Sequence, residues 1–285
     1  MIIGIEGTGS QDWDGYLLMQ SFVRKVLHQS TDPNKFYFIG PNNQGSDGRK
    51  ITEAAYQKAY DAPKSEKLVL VGYSRGAAYC MKIAEWVASY QRRVDFLVMF
   101  DAVARNDYST SRIASAAAWK EGWDPLAIPM TVPSNVAICL HAVRSPSAGS
   151  RAGFGNVGLS AQEPARTALM LRQDFHCSHG AMGGTPYDAA NEEGTTDKFG
   201  YAAQGLGADS NWILNNTFPD DSRYAKAPKF PVTNKAQDMA GSEAVGTWMW
   251  DLMHRFKIIP ARTDFHRNAP AFTGVQRPGA PNAMR

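Results

Sequence analysis

Three short β-rich runs, each followed closely by a segment of helical spacing, and then a fourth run, constrain the fold of this chain more than anything else in it. "MIIGIEG" leads into "DGYLLMQSFVRKVLHQ", where Tyr16, Leu17, Val23, Val26 and Leu27 recur at helical intervals. "KFYFIGP" ends in Gly40 and Pro41, after which "GSDGRK" reads as a loop and "ITEAAYQKAYDA" as a helix closed by Pro63. "EKLVLVGYS" leads into "RGAAYCMKIAEWVASYQRR", which carries Ala77, Met81, Ala84 and Val87 or Ala88 on one stripe, and "VDFLVMFDAVA" is the fourth run. Continuous apolar runs fit strands buried on both faces, and right-handed crossovers place the intervening helices on both sides of a parallel sheet. The expectation is an α/β fold with a mainly parallel central sheet and helices on both faces.

Further along, "SNVAICLHAV" and "ARTALMLRQDFH" predict two more strands, separated by the glycine- and serine-rich loop "SPSAGSRAGFGNVGLS". "GSEAVGTWMWDLMHRF" predicts a late helix. Residues 1–260 read as one domain with irregular insertions near 106–134 and 185–240; the first is open to reading as a lid or as ordinary packing. Residues 261–285 read as a loose basic tail. From 255 onward six basic residues face one acidic residue, Asp264, so the end is either a solvated tail or a surface that approaches anionic lipid.

Composition narrows the function classes. A 44% hydrophobic chain of 285 residues fills a sizeable core, and thirty basic against twenty-seven acidic residues leave no electrostatic footprint for nucleic acid. The start lacks a basic leader with an apolar segment, and no stretch reaches the roughly 18 apolar residues of a membrane span. A soluble, cytoplasmically made protein without a Sec signal is expected. Cys80, Cys139 and Cys177 are widely spaced, which argues for reduced thiols rather than a disulfide framework or zinc site.

"GYSRG", Gly72 to Gly76, fits the GxSxG elbow, in which a serine sits on a strained turn between a buried strand and a helix. Alone the pattern is weak; here an apolar run precedes it and an alanine-rich helix follows. A serine hydroxyl needs a histidine to take its proton and a carboxylate to orient that histidine. Asp101 ends the strand after the elbow helix and is the candidate acid; the alternative is a turn cap. His179 in "FHCSHGAMGG" is the candidate base, among Gly180, Gly183 and Gly184. His176 is its rival and, being nearer the strand, is expected to be buried; His141 is expected to hydrogen-bond in the core, and His28, His254 and His266 fit helix ends or the tail. The oxyanion donors would be the amide of Arg75 and that of Thr8 or Gly7 in "EGTGS". No phosphate-loop pattern is present, and neither a metal nor an organic cofactor is required.

"IEGTGS", "VGYSRGAA", "VMFDAVA", "LHAVRSPSAGSRAGF" and "FHCSHGAMGG" together resemble the α/β-hydrolase family that contains the type VI secretion phospholipase effectors. The resemblance spans residues 2 to about 184 in family order and implies Ser74, Asp101 and His179 as triad. Two departures stand out: Glu6 replaces the family's usual aspartate, and Arg144 follows the His141 strand where an acidic residue is typical. The resemblance implies hydrolysis of carboxylic esters, including phospholipid acyl esters. It also implies contact with a membrane surface, an immunity or secretion-apparatus partner, and export by a type VI route as a toxin. A non-catalytic binding module on the same fold, and a thioesterase or peptidase using the same triad, are the alternatives.

Overall fold

A computed structural model describes residues 1–8, 19–41, 47–104, 126–148, 156–163, 169–185, 233–262, 264–267 and 269. Six strands, β1 (Ile2–Ile5), β2 (Lys35–Phe38), β3 (Val69–Tyr73), β4 (Val94–Phe100), β5 (Val136–Arg144) and β6 (Leu169–Phe175), form one sheet in the order β2-β1-β3-β4-β5-β6. Every neighbouring pair is parallel. The α/β expectation holds, with each apolar run of the sequence in a strand.

The chain steps outward from β1 to β2, then returns past β1 to β3. Such a reversal opens a crevice at the carboxyl ends of the two strands it separates. Ile5 pairs with Gly72 and Phe100 with Ala142, so the ends of β1, β3, β4 and β5 stand near one rim.

Five α-helices belong to the described fold, α1 (Phe22–Gln29), α2 (Gly48–Asp61), α3 (Arg75–Ala88), the single turn α4 (His179–Met182) and α5 (Lys235–Arg255), with two 3-10 turns at Pro146–Ala148 and Asp264–His266. Alternation along the strands splits the core in two. Ile3, Ile5, Leu70, Leu97 and Met99 meet α2 and α3 on one face. Ile2, Val69, Val71, Val98 and Phe100 meet α1 and α5 on the other. Phe22 of α1 lies 5.4 Å from the Phe100 ring and 5.3 Å from the Trp250 ring, so three elements share one aromatic contact. Burying a side chain of this size contributes roughly 1.5–3 kcal/mol, which fixes α1 and α5 against the sheet.

Several boundaries differ from the sequence reading. Helix α1 starts at Phe22, because Ser21 caps it by accepting the Arg24 amide, whereas the predicted helix begins at Asp14; of its earlier part, residues 14–18 lie outside the described residues and Met19 and Gln20 are helical but separated from α1 by Ser21. Helix α2 begins at Gly48, inside the predicted loop, since Ile51, Ala55 and Ala59 already pack there. Helix α5 begins at Lys235, inside the predicted 185–240 insertion, where Asn234 and Gln237 form a capping box; residues 186–232 are outside the described set. Of the 106–134 insertion, residues 105–125 are likewise outside. Leu126, Ile128 and Val132 pack into the core as ordinary interior residues.

The predicted loose tail is corrected for its described part. Phe265 is buried against Trp250 and Phe22, Ala269 donates its amide to the Met19 carbonyl, and buried Lys25 donates Nζ–H to the Phe265 carbonyl at 2.6 Å. One aromatic side chain with a core slot is enough to dock a segment whose composition reads as a tail. The rest of 270–285 lies outside the described residues.

Candidate active site

Strand β3 ends at Tyr73 and α3 starts at Arg75, leaving Ser74 alone on the turn with φ 58° and ψ −128°. A residue with a Cβ held there costs on the order of 1–3 kcal/mol. Backbone bonds hold it: the Ser74 amide donates to the Phe100 carbonyl at 2.9 Å, and the Ala77 amide donates to the Ser74 carbonyl at 3.1 Å. The flanking glycines are required by contact. A Cβ on Gly72 would stand 2.4 Å from the Ala77 Cα, and one on Gly76 would stand 2.3 Å from the carbonyl oxygens of Ile5 and Glu6. Packing of α3 against β3 and β1 therefore excludes any side chain at either position.

Asp101 follows β4 directly, also at positive φ, 48°, with its amide donating to the Ala142 carbonyl at 2.8 Å. Its carboxylate is fully buried and engaged on both oxygens. Oδ1 accepts from Asn156 Nδ2 at 2.7 Å and from the Arg144 amide at 3.1 Å. Oδ2 faces His179 Nδ1 at 2.6 Å and Arg144 Nε at 3.6 Å. Burial alone would raise its pKa. The Arg144 guanidinium and the bond from His179 override that and hold the carboxyl well below the usual range.

His179 Nε2 lies 2.8 Å from Ser74 Oγ. An ionised carboxylate only accepts, so Nδ1 carries the proton and donates to Asp101, which leaves Nε2 as the acceptor for the Ser74 hydroxyl. The imidazole is fixed from three sides. Tyr73 donates its hydroxyl to the His179 carbonyl at 2.8 Å, and its ring lies 5.1 Å from the imidazole. Ser178, the preceding residue, is bound by Asp238 of α5: its amide donates to Oδ1 at 2.6 Å and its hydroxyl to Oδ2 at 2.9 Å. Ser242, one turn further along α5, donates to the Ala181 carbonyl at 2.9 Å.

The rival histidines are elsewhere. His176, expected to be buried, is exposed and meets Ser147 Oγ at 2.8 Å through Nδ1, whereas His179 is the buried one. Position relative to the strand end misleads here, because burial alternates past it: Phe175 and Cys177 are buried and His176 between them is exposed. His141 hydrogen-bonds in the core as expected: Nε2 accepts the Ala102 amide at 3.2 Å, so Nδ1 donates to the Gly158 carbonyl at 3.0 Å. His28 and His266 are exposed, and His254 meets Arg262 Nε through Nδ1 at 3.3 Å.

Gly7, just past the end of β1, lies against the elbow: a Cβ there would come within 3.0 Å of the Ser74 Cβ. Gly7 and the Arg75 amide, the first of α3, thus flank Ser74, and Thr8, half-buried, follows Gly7 in the chain. Glu6 is buried, its Oε1 accepting the Ser21 and Tyr37 hydroxyls, while Oε2 has no hydrogen-bond partner. Burial pushes its carboxyl up to about 7 against the pull of Ser21, Tyr37 and Arg24. Cys80, Cys139 and Cys177 are free and buried. Among the described residues no cluster of three or more His, Cys, Asp or Glu is placed to hold a metal ion, and no helix is long and apolar enough to cross a membrane.

Asn156 and Asp238 escape sequence reasoning: one lies in a glycine-rich loop, the other in the first turn of a helix where any acidic residue would look like a dipole partner.

No protein-family model matches the chain, and no curated protein matches it. Among solved structures it is similar to an uncharacterized protein from Pseudomonas aeruginosa, at 14% identity and a TM-score of 0.37 over 88% of this chain. The match covers 50% of that protein, so this chain spans about half its length.

Proposed function

We propose that the protein is a serine hydrolase of the α/β-hydrolase type that cleaves carboxylic esters through an acyl-enzyme, with lipid or phospholipid acyl esters as the substrate class. The observation that carries the reading is the single imidazole, His179, bridging a buried carboxylate and the hydroxyl of a serine held at positive φ.

Ser74 Oγ attacks the acyl carbon as its proton passes to His179 Nε2, and Asp101 stabilises the imidazolium that forms. Negative charge then develops on the acyl oxygen, beside the Arg75 amide at the positive end of α3 and the Gly7–Thr8 backbone. The imidazolium gives its proton to the leaving alcohol. Water repeats the sequence in reverse: Nε2 takes its proton as the water oxygen bonds to the acyl carbon, the acyl–Oγ bond breaks as the imidazolium returns the proton to Ser74 Oγ, and the acid leaves. The lipid class, like contact with a membrane surface and an immunity or secretion partner, rests on the sequence resemblance carried by "IEGTGS", "VGYSRGAA" and "FHCSHGAMGG".

The test is covalent. A fluorophosphonate probe is expected to label Ser74 stoichiometrically, located by peptide mass spectrometry, and His179→Ala is expected to lose that labelling. Turnover of p-nitrophenyl esters and of phospholipid vesicles then assigns the acyl class. Absence of labelling on the folded protein would sink the reading and leave a binding module on this fold.

A further inference from the structure

Arg144 is an arginine with no solvent exposure at the end of β5, and its charge lies against the carboxylate that holds His179. Burying a guanidinium costs several kcal/mol unless a partner compensates it. Asp101 is that partner: it accepts the Arg144 amide on Oδ1 and faces Nε across Oδ2. A carboxylate serving only to orient an imidazole would not need this second cation, because Asn156, the Arg144 backbone amide and His179 already satisfy it.

The consequence falls on His179. A lone buried carboxylate favours the imidazolium, so in mild acid the base would be lost to a solvent proton. Arg144 Nε and His179 Nδ1 meet the same oxygen and are therefore at most about 6 Å apart, close enough for a like charge to disfavour the imidazolium.

Apart from the Arg75 guanidinium, the other groups around the imidazole supply no cation in its place. Asp238 on α5 adds a second negative charge behind Ser178. His141 on β5 is locked neutral by its two bonds. Burial, with Asp238 and Asp101 adding to it, holds the Cys177 thiol protonated. Tyr73 contributes a neutral hydroxyl, and Arg75 opens α3 beside Ser74. Exposed His176 is engaged with Ser147.

We propose that Arg144 is a positioning residue whose charge keeps His179 unprotonated, and so able to take the Ser74 proton, in more acidic solution than Asp101 alone would allow. The proposal rests on the reading of Ser74, His179 and Asp101 as hydrolytic machinery, and its test has an arm that does not depend on turnover.

In ¹⁵N-histidine-labelled protein carrying Ser74→Ala, the His179 imidazole is titrated by NMR with Arg144 intact and with Arg144→Lys, Arg144→Gln or Arg144→Met. The two neutral variants differ in shape, and an apolar side chain of similar volume often replaces a buried ion without loss of fold. The expected result is an upward move of the titration by about 1 pH unit or more in Gln and Met, with Lys close to the parent. With Ser74 restored, the acid limb of kcat/KM moves the same way, which a purely structural role would not produce. An unmoved titration in the neutral variants, or an equal move in Arg144→Lys, overturns the proposal. A moved titration in a protein that cleaves no ester upholds the charge effect and overturns the hydrolase reading instead.

Discussion

His179 Nε2 stands 2.8 Å from Ser74 Oγ although 105 residues separate them in the chain. Two loops at one rim of the sheet make that contact, and each is held by groups that never touch the reacting atoms. The consequences are measurable one residue at a time.

Ser74→Ala is expected to lower ester turnover by at least about 10³-fold, leaving what binding and the oxyanion donors supply. Ser74→Gly should lose as much turnover yet be about 1 kcal/mol more stable than Ser74→Ala, since glycine takes φ 58° without strain. Urea melts of the two variants measure the difference. Equal midpoints would mean that the elbow stores no strain.

Asp101→Asn keeps the shape of the acid but removes its charge and turns one acceptor oxygen into a donor facing His179 Nδ1. The imidazole then settles in the wrong tautomer, and kcat should fall by about 10⁴-fold near neutral pH. Stopped assays on a p-nitrophenyl ester check this; a loss below tenfold would remove Asp101 from the machinery.

Asp238→Ala releases Ser178 from α5 and lets the imidazole drift. A misplacement of about 1 Å costs on the order of 10²-fold in rate, so kcat should drop by about that much while fluorophosphonate labelling slows in parallel. His176→Ala, by contrast, touches only an exposed serine contact and should stay within about twofold of the parent. The reverse ranking would make His176 the base.

Glu6 links pH to stability. Its folded carboxyl is raised by burial from 4.5 to about 7, so below about 4.5 both states are protonated and its contribution is fully present. Between those values the unfolded chain gives up the proton while the folded one keeps it. Stability therefore falls as pH rises, by about 3 kcal/mol in total, and levels off above the folded value. Glu6→Gln should flatten Tm between pH 5 and 7.5, as differential scanning fluorimetry would register; an unchanged slope would assign the pH dependence to other groups.

Much of this was legible in the residues because it is local. The strand runs, Gly72 against Ala77, and an aspartate closing the next strand depend on near neighbours, whereas Gly76 is required by the distant Ile5 and Glu6 carbonyls. Arg144 was legible as a departure from a family pattern but not as a partner of Asp101, since their contact crosses from one strand end to another. The glycines after His179 favour it over His176, and it is the imidazole that lies against Ser74, yet nearness to the strand end predicts the burial of the two in reverse. Only the alternation that exposes His176 between buried Phe175 and Cys177, and the grip of Asp238 on Ser178, decide which imidazole faces the serine.

The amino-acid sequence by itself determined which segments become strands and helices, and where a serine could sit on a tight turn, because hydrophobic periodicity and the close approach of Gly72 to Ala77 act over a few residues. Tertiary structure alone decided that Ser74, His179, Asp101, Asn156, Arg144 and Asp238 form one connected polar group. Each of those links joins different elements of the fold, and hydrogen bonds and charges act through space at a few ångströms, whatever their separation along the chain.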